Sequence, residues 1–146
     1  MNSPIRIKNE EYFKLVQQRL DAAEQVRIPV KGRSMEPFLY EKDEVLLQPA
    51  IQAKIAIGDI ILVHWNEGYI LHRVVRIKKG WLWLAGDNNL VQLEKVAEAD
   101  VLAVLIAAER KGKPLKVARP FYKMLGMAWY YTRFPRRIWT AINRRL

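Results

Sequence analysis

Residues 59–85 read DIILVHWNEGYILHRVVRIKKGWLWLA, three apolar runs broken by Asn66-Glu67-Gly68 and by Lys78-Lys79-Gly80. Short runs rich in Ile, Val, Leu and Trp, each bounded by a polar connection ending in glycine, predict consecutive antiparallel strands over Asp59–Trp65, Tyr69–Ile77 and Trp81–Ala85. Each connection reads as a three-residue link whose glycine supplies a left-handed backbone conformation. Side chains alternate along a strand, so His72 shares a face with Ile70 and Val74 while Leu71, Arg73 and Val75 point the other way.

Outward from this meander, Val45–Leu47 and Val101–Ala108 have the same texture, and the β-rich runs begin at Val26. Upstream, Phe13, Val16, Leu20 and Ala23 recur at spacings of three and four. That pattern predicts an amphipathic helix over Glu10–Ala23, with Asn9 as its N-cap and Glu10 and Glu11 in its first turn. Lys111-Gly112-Lys113-Pro114 marks a boundary before an aromatic, basic tail, which Pro135 is expected to divide into two helices. The expected fold is mainly β with flanking helices: an N-terminal helix within 1–25, a β domain over 26–110, and a helical tail over 111–146.

The chain has 146 residues, 51% hydrophobic and 27% charged, a balance that excludes wholesale disorder and fits one folded domain. It has no cysteine and only two histidines, His64 and His72, which excludes disulfides, thiolate zinc sites, iron–sulfur clusters and a cysteine nucleophile. No metal or organic cofactor is implied. The formal charge of +10 is concentrated in one place: residues 110–146 hold 11 Lys and Arg and no acid, against 14 basic and 15 acidic residues in the rest. The body is therefore nearly neutral and lacks the basic groove that nucleic acid requires, so nucleic acid is a disfavoured partner. No apolar stretch of spanning length and no secretory signal pattern is present. The expectation is a cytoplasmic protein, with peripheral membrane association left open.

Gly32-Arg33-Ser34-Met35-Glu36-Pro37 asks for a chemical explanation. A turn there lifts the Ser34 hydroxyl clear of the sheet and leaves its backbone N–H free, two features an acyl-transfer nucleophile needs; the same composition also makes a plain turn. Downstream follow Gly58-Asp59-Ile60-Ile61-Leu62-Val63, then Leu71-His72-Arg73-Val74-Val75, then Gly86-Asp87-Asn88-Asn89. In this order, across Val26–Asn89, the four boxes resemble the signal peptidase family and, more broadly, the S24/S26 group of serine peptidases that includes the self-cleaving LexA-type repressors. The resemblance implies a signal peptidase/LexA-like β domain with Ser34 as nucleophile. It places His72 where the commonest bacterial members carry a lysine base, as in the archaeal, endoplasmic-reticulum and sporulation type. It also implies a peptide or protein substrate: a serine endopeptidase of this kind cleaves an extended leader- or signal-type peptide beside small side chains, bound by strand addition near Met35.

The chemistry points the same way independently. A serine hydroxyl needs a base whose pKa lies near the working pH, and a histidine, unperturbed at about 6.5, meets that need. His64, beside Trp65 at a strand end, reads as structural; for His72 the alternative is a hydrogen-bonded core histidine. Asp87 can accept from the second ring nitrogen and hold the tautomer, although Asp87-Asn88-Asn89 is also what a β-turn looks like. Two features depart from the family pattern. Histidine-type members carry a further acid shortly after the Gly-Asp-Asn-Asn box, and Leu90-Val91-Gln92-Leu93-Glu94 offers only Glu94, displaced from that place. Membrane-anchored members also have a spanning segment, usually before the serine box. One helix ahead of Val26 is too little for a helix-turn-helix, which disfavours a repressor. The alternative from another class is a non-catalytic peptide- or membrane-binding module on the same scaffold.

The tail sets Phe121, Tyr122, Trp129, Phe134 and Trp139 among arginines without any acid. Aromatics and cations together suit an anionic membrane surface, and the tail is read as an interfacial anchor. The alternative is a tail that packs its aromatic stripe on the β domain and leaves its charges in water.

Overall fold

The computed structural model describes residues 3–66 and 68–145, with side chains described over 10–66 and 68–144. Helix α1 (Ser3–Asp21) precedes strands β1 (Val26–Pro29), β2 (Glu44–Pro49), β3 (Ile60–Trp65), β4 (Gly68–Lys78), β5 (Trp81–Ala85), β6 (Glu94–Ala97), β7 (Val101–Arg110) and β8 (Lys113–Leu115). Helices α2 (Pro120–Tyr131) and α3 (Arg133–Arg145) complete the chain. The strands form one antiparallel sheet in the order β1-β2-β7-β3-β4-β5-β6, with β8 on β7. This is the mainly β fold with flanking helices that the sequence predicts.

The meander forms, with tighter connections than expected. Trp65 pairs with Gly68 and Lys78 with Trp81, so each link is two residues long rather than three. Lys79 and Gly80 both have positive φ, +49° and +80°, the mirror-image turn whose twist matches that of the flanking strands. In the first link the left-handed residue is Asn66 rather than Gly68.

Helix α1 starts well before the predicted Glu10, so Asn9 is an interior helical residue rather than an N-cap; its side chain lies outside the described residues. The helix stops at Asp21, and Ala23 falls beyond it at φ +64°. The predicted stripe is otherwise present: Val16 and Leu20 are buried against Ile28, Met35, Leu47 and Leu105. A second apolar cluster, with Ile61, Val63, Val74, Leu84 and Val104, occupies the other side of the sheet.

Between β1 and β2 the chain makes a long excursion that carries Ser34. Its base is closed by Val30 N–H to Asp43 O (2.7 Å) and Lys42 N–H to Val30 O (2.9 Å). The Asp43 carboxylate accepts from the Tyr40 amide and, at 2.8 Å on both oxygens, from Arg110 at the end of β7. Burial pushes the Asp43 carboxyl up, but the Arg110 and Tyr40 hydrogen bonds outweigh it and hold the group below the usual carboxylate range. The excursion is thereby fastened to the sheet.

In the tail the helix break falls at Thr132, not Pro135. Thr132 leaves the helical path (φ −83°, ψ 2°) and its N–H bonds to Trp129 O at 3.0 Å. Pro135 lies in the first turn of α3, where the missing N–H is one the helix leaves unpaired anyway. Helix α2 docks on the β domain through Gly126, which lies against the buried Arg73 guanidinium, and through an ion pair between Lys123 and Asp59.

A methyl group at position 126 would fall on the Arg73 guanidinium, which three hydrogen bonds hold still. Helix propensity alone favours alanine by about 1 kcal/mol. Overpacking against an immobile group costs about 1–3 kcal/mol, so Gly126→Ala is expected to lower the melting temperature. A variant that melts at or above the wild type would show that α2 does not seat on Arg73.

Candidate active site

Strand β4 places His72 and Arg73 on opposite faces of the sheet, as alternation requires, and both side chains are buried. The two residues then gather separate partners. On the His72 side, Nε2 lies 3.2 Å from Ser34 Oγ and Nδ1 lies 2.5 Å from Glu94 Oε1. A hydroxyl, an imidazole and a carboxylate thus form one chain, the arrangement in which the ring accepts a proton from the hydroxyl while the carboxylate fixes the other nitrogen as N–H donor. Glu94 is fully buried, and its Oε2 has no hydrogen-bond partner among the described residues.

Asp87 stands elsewhere. Its two oxygens accept from Arg73 Nε and Nη2, each at 2.8 Å, while Arg73 Nη1 donates to Gly58 O at 2.9 Å. Burial pushes the Asp87 carboxyl above the usual carboxylate range, and the two Arg73 hydrogen bonds offset only part of that push. The fork-on-fork geometry pairs the guanidinium with a carboxylate rather than a neutral acid. The contact with His72 Nδ1 expected of Asp87 is made by Glu94, and Asp87 pairs with Arg73. The reason is register. Val74 pairs with Leu84 and Leu84 with Glu94, so these three share the face that His72 also occupies. Asp87 follows the end of β5, where Ala85 pairs with Arg73, and its carboxylate is carried to the Arg73 side. Glu94, displaced from the family's place for an acid, is brought to His72 by β6, a four-residue strand that the sequence pattern does not predict.

The Gly86-Asp87-Asn88-Asn89 turn also fixes the serine. Asn88 N–H donates to Ser34 O at 2.8 Å and Asn88 Nδ2 to Arg33 O at 3.1 Å. Gly86 is needed for close approach: a Cβ there would lie 2.8 Å from Ser34 O and 3.0 Å from His72 Nε2. Among the described residues, the backbone hydrogen bonds that close the serine turn run from Glu36 N to Arg33 O and from Phe38 N and Leu39 N to Met35 O. None of them uses the Ser34 N–H.

Beside Ser34 lies a cleft of about 220 Å³ with a largely apolar wall that includes Phe13, Ile28, Val30, Met35, Leu62 and Leu71. Met35 lines it but is only 2% exposed, so it forms part of the floor. Helix α1 forms one wall, where Phe13 stacks on Tyr69 with ring centroids 4.3 Å apart. His64 is exposed and lies against Tyr69, leaving His72 as the histidine that meets Ser34. No group of His, Asp and Glu suited to holding a metal ion occurs among the described residues.

No curated protein matches this sequence. The family profile described as Peptidase S24-like matches residues 3–106, a span that runs from α1 into β7 and contains the serine turn, both buried pairs and the cleft. Since that match covers well over half of the chain and the antiparallel sheet carries the four sequence boxes in order, the chain belongs to the Peptidase S24-like family, within the LexA and signal peptidase superfamily.

Proposed function

We propose that the protein is a serine endopeptidase of signal peptidase type in which Ser34 is the nucleophile, His72 the general base and then acid, and Glu94 the group that orients His72. The observation that carries this reading is the continuous Ser34–His72–Glu94 contact chain. Ser34 Oγ attacks the scissile carbonyl carbon as its proton passes to His72 Nε2, and the carbonyl oxygen, now an oxyanion, accepts from the Ser34 N–H. The C–N bond then breaks, His72 returns the proton to the departing amine, and a water activated by the same nitrogen releases the acyl group. Glu94 keeps Nδ1 protonated throughout and stabilises the imidazolium when it forms.

The substrate is an extended peptide of leader or signal type. A cleft of about 220 Å³ takes one or two small apolar side chains rather than a large ligand. Two backbone edges flank it: β1 is the edge strand of the sheet, and the Gly68–His72 half of β4 pairs with β3 on one side only. Such edges suit a peptide that adds as a strand.

A serine-reactive phosphonate tests the reading without knowledge of the natural substrate. The expected result is one adduct on the peptide containing Ser34, together with cleavage of members of a leader-peptide library. Absence of both in folded protein would instead favour a binding module on the peptidase scaffold.

Glu94→Gln separates orientation from packing. The amide is nearly isosteric, so the fold is retained, but it can offer N–H to Nδ1 and select the wrong tautomer. Cleavage is expected to fall by about 10³–10⁴-fold, as when the carboxylate of such a triad is replaced by an amide. Unchanged kcat/KM in this variant would remove Glu94 from the mechanism.

A further inference from the structure

Helix α3 is turned inside out relative to an ordinary surface helix. Phe134, Ile138 and Ile142 repeat every four residues and, with Trp139, form one apolar arc. These four are exposed at 67%, 47%, 48% and 65%, in the order Phe134, Ile138, Ile142 and Trp139. The polar arc, in contrast, borders the 88–92 segment. Arg133 donates to Leu90 O and Gln92 O at 3.0 Å, and Arg137, Thr140 and Arg144 line a groove shared with Asn88 and Gln92. A helix normally buries its apolar arc and solvates its charges; here the apolar arc stays exposed while Arg133 is fastened to the 90–92 backbone. Helix α2 adds exposed Phe121, Met124, Leu125 and Tyr131, so half of the large exposed apolar side chains lie on these two helices.

We infer that this face is a docking surface for an anionic lipid bilayer, with α3 lying in the interface plane. Charge decides among the occupants. Residues 110–146 carry 11 Lys and Arg and no Asp or Glu, and Lys113, Lys116 and Arg119 are exposed. A second copy docked face to face would bring two such uncompensated segments together, whereas phosphate headgroups neutralise them. The composition of the exposed face, with Phe121, Tyr131, Phe134 and Trp139 among aliphatic residues, suits headgroup depth, where amphipathic rings are stabilised. At 12 and 13 residues, α2 and α3 are each too short to cross a bilayer, and an in-plane position is the one that covers the apolar arc. The inference is independent of the peptidase reading, because none of these residues lies at Ser34 or His72. Arg133 and Trp129 tie the two helices to the 87–92 segment.

The test uses the full chain and sedimentation with vesicles of phosphatidylglycerol and phosphatidylcholine, with pure phosphatidylcholine vesicles alongside, at physiological salt. The protein is expected to pellet with the anionic vesicles and to bind neutral ones far less. Ile138→Glu with Trp139→Glu is expected to weaken binding at least tenfold without changing the melting temperature, since both side chains point away from the β domain. Lys116→Gln and Arg119→Gln are expected to weaken it roughly fivefold per charge removed. Folded wild-type protein left in the supernatant would overturn the inference, as would an Ile138→Glu/Trp139→Glu variant that pellets as the wild type does. Displacement from the vesicles by RNA at matched charge would reassign the surface to nucleic acid. A dimer in sedimentation equilibrium that the same double variant dissociates would reassign it to a second copy.

Discussion

Ser34→Ala is expected to lower kcat for a cleavable leader peptide on the order of 10⁶-fold, because the variant retains the cleft and the Ser34 N–H but has no atom to acylate. The melting temperature should stay within about 2 °C of the wild type, since Ser34 Oγ makes one 3.2 Å contact in a part-buried place. The companion substitution needs more care. His72→Ala would leave the fully buried Glu94 carboxylate without its partner, a cost of about 1–3 kcal/mol or more that would mix instability with lost chemistry. His72→Gln fills more of the space and can still donate to Glu94, so it isolates the base. It is expected to lose nearly as much activity as Ser34→Ala, and the double variant no more than either one. Additive losses would mean that the two residues act in separate steps, and cleavage near wild-type rates in Ser34→Ala would remove the serine from the mechanism. The phosphonate adduct should be absent from both variants.

The parts of this fold that were legible in the sequence are those in which a local period decides the outcome. Alternation in β3, β4 and β5 and the short connections between them were enough for the meander, and the spacing of Phe13, Val16 and Leu20 was enough for the buried face of α1. The meeting of Ser34 and His72 was legible through the four boxes whose order resembles the signal peptidase family, not through any local period. That Glu94 rather than Asp87 contacts His72 was not legible. Glu94 opens β6, whose Glu94-Lys95-Val96-Ala97 run is short and starts with a residue that burial rules place outside. Only the cross-strand register of Val74, Leu84 and Glu94 puts that carboxylate beside His72, and register between strands is a non-local property. The tail has a similar logic. Its sequence shows that α3 has two faces, but which one borders the 88–92 segment depended on the carbonyls of Leu90 and Gln92, which accept from Arg133.

Breaking the buried Arg73–Asp87 pair from one side should be strongly destabilising. Both side chains are nearly fully buried, and Arg73 directs its donors to Asp87 and to Gly58 O while Phe38 lies over the guanidinium with its ring centroid 5.1 Å away. Asp87→Ala strands a buried cation, and breaking such a pair from one side costs about 3–5 kcal/mol. At about 2–4 °C per kcal/mol for a chain of this size, the melting temperature should fall by roughly 6–20 °C. The pair also has neighbours to lose. Gly126 of α2 rests on the guanidinium, and Trp129 Nε1 donates to Asp87 O at 2.7 Å, so the docking of α2 should loosen and hydrogen exchange in Pro120–Tyr131 should rise. Asp87→Ala with Arg73→Met removes both charges, and should recover much of the loss because an apolar pair of similar volume satisfies the same cavity. The decisive comparison is with Glu94→Gln. Below its lowered melting point, Asp87→Asn should keep cleavage within about tenfold of the wild type, since it retains an acceptor for Arg73 and does not touch His72. Glu94→Gln should keep the fold and lose the activity. If instead Asp87→Asn melts normally and is inactive, Asp87 has the orienting role after all and the Glu94 contact is structural.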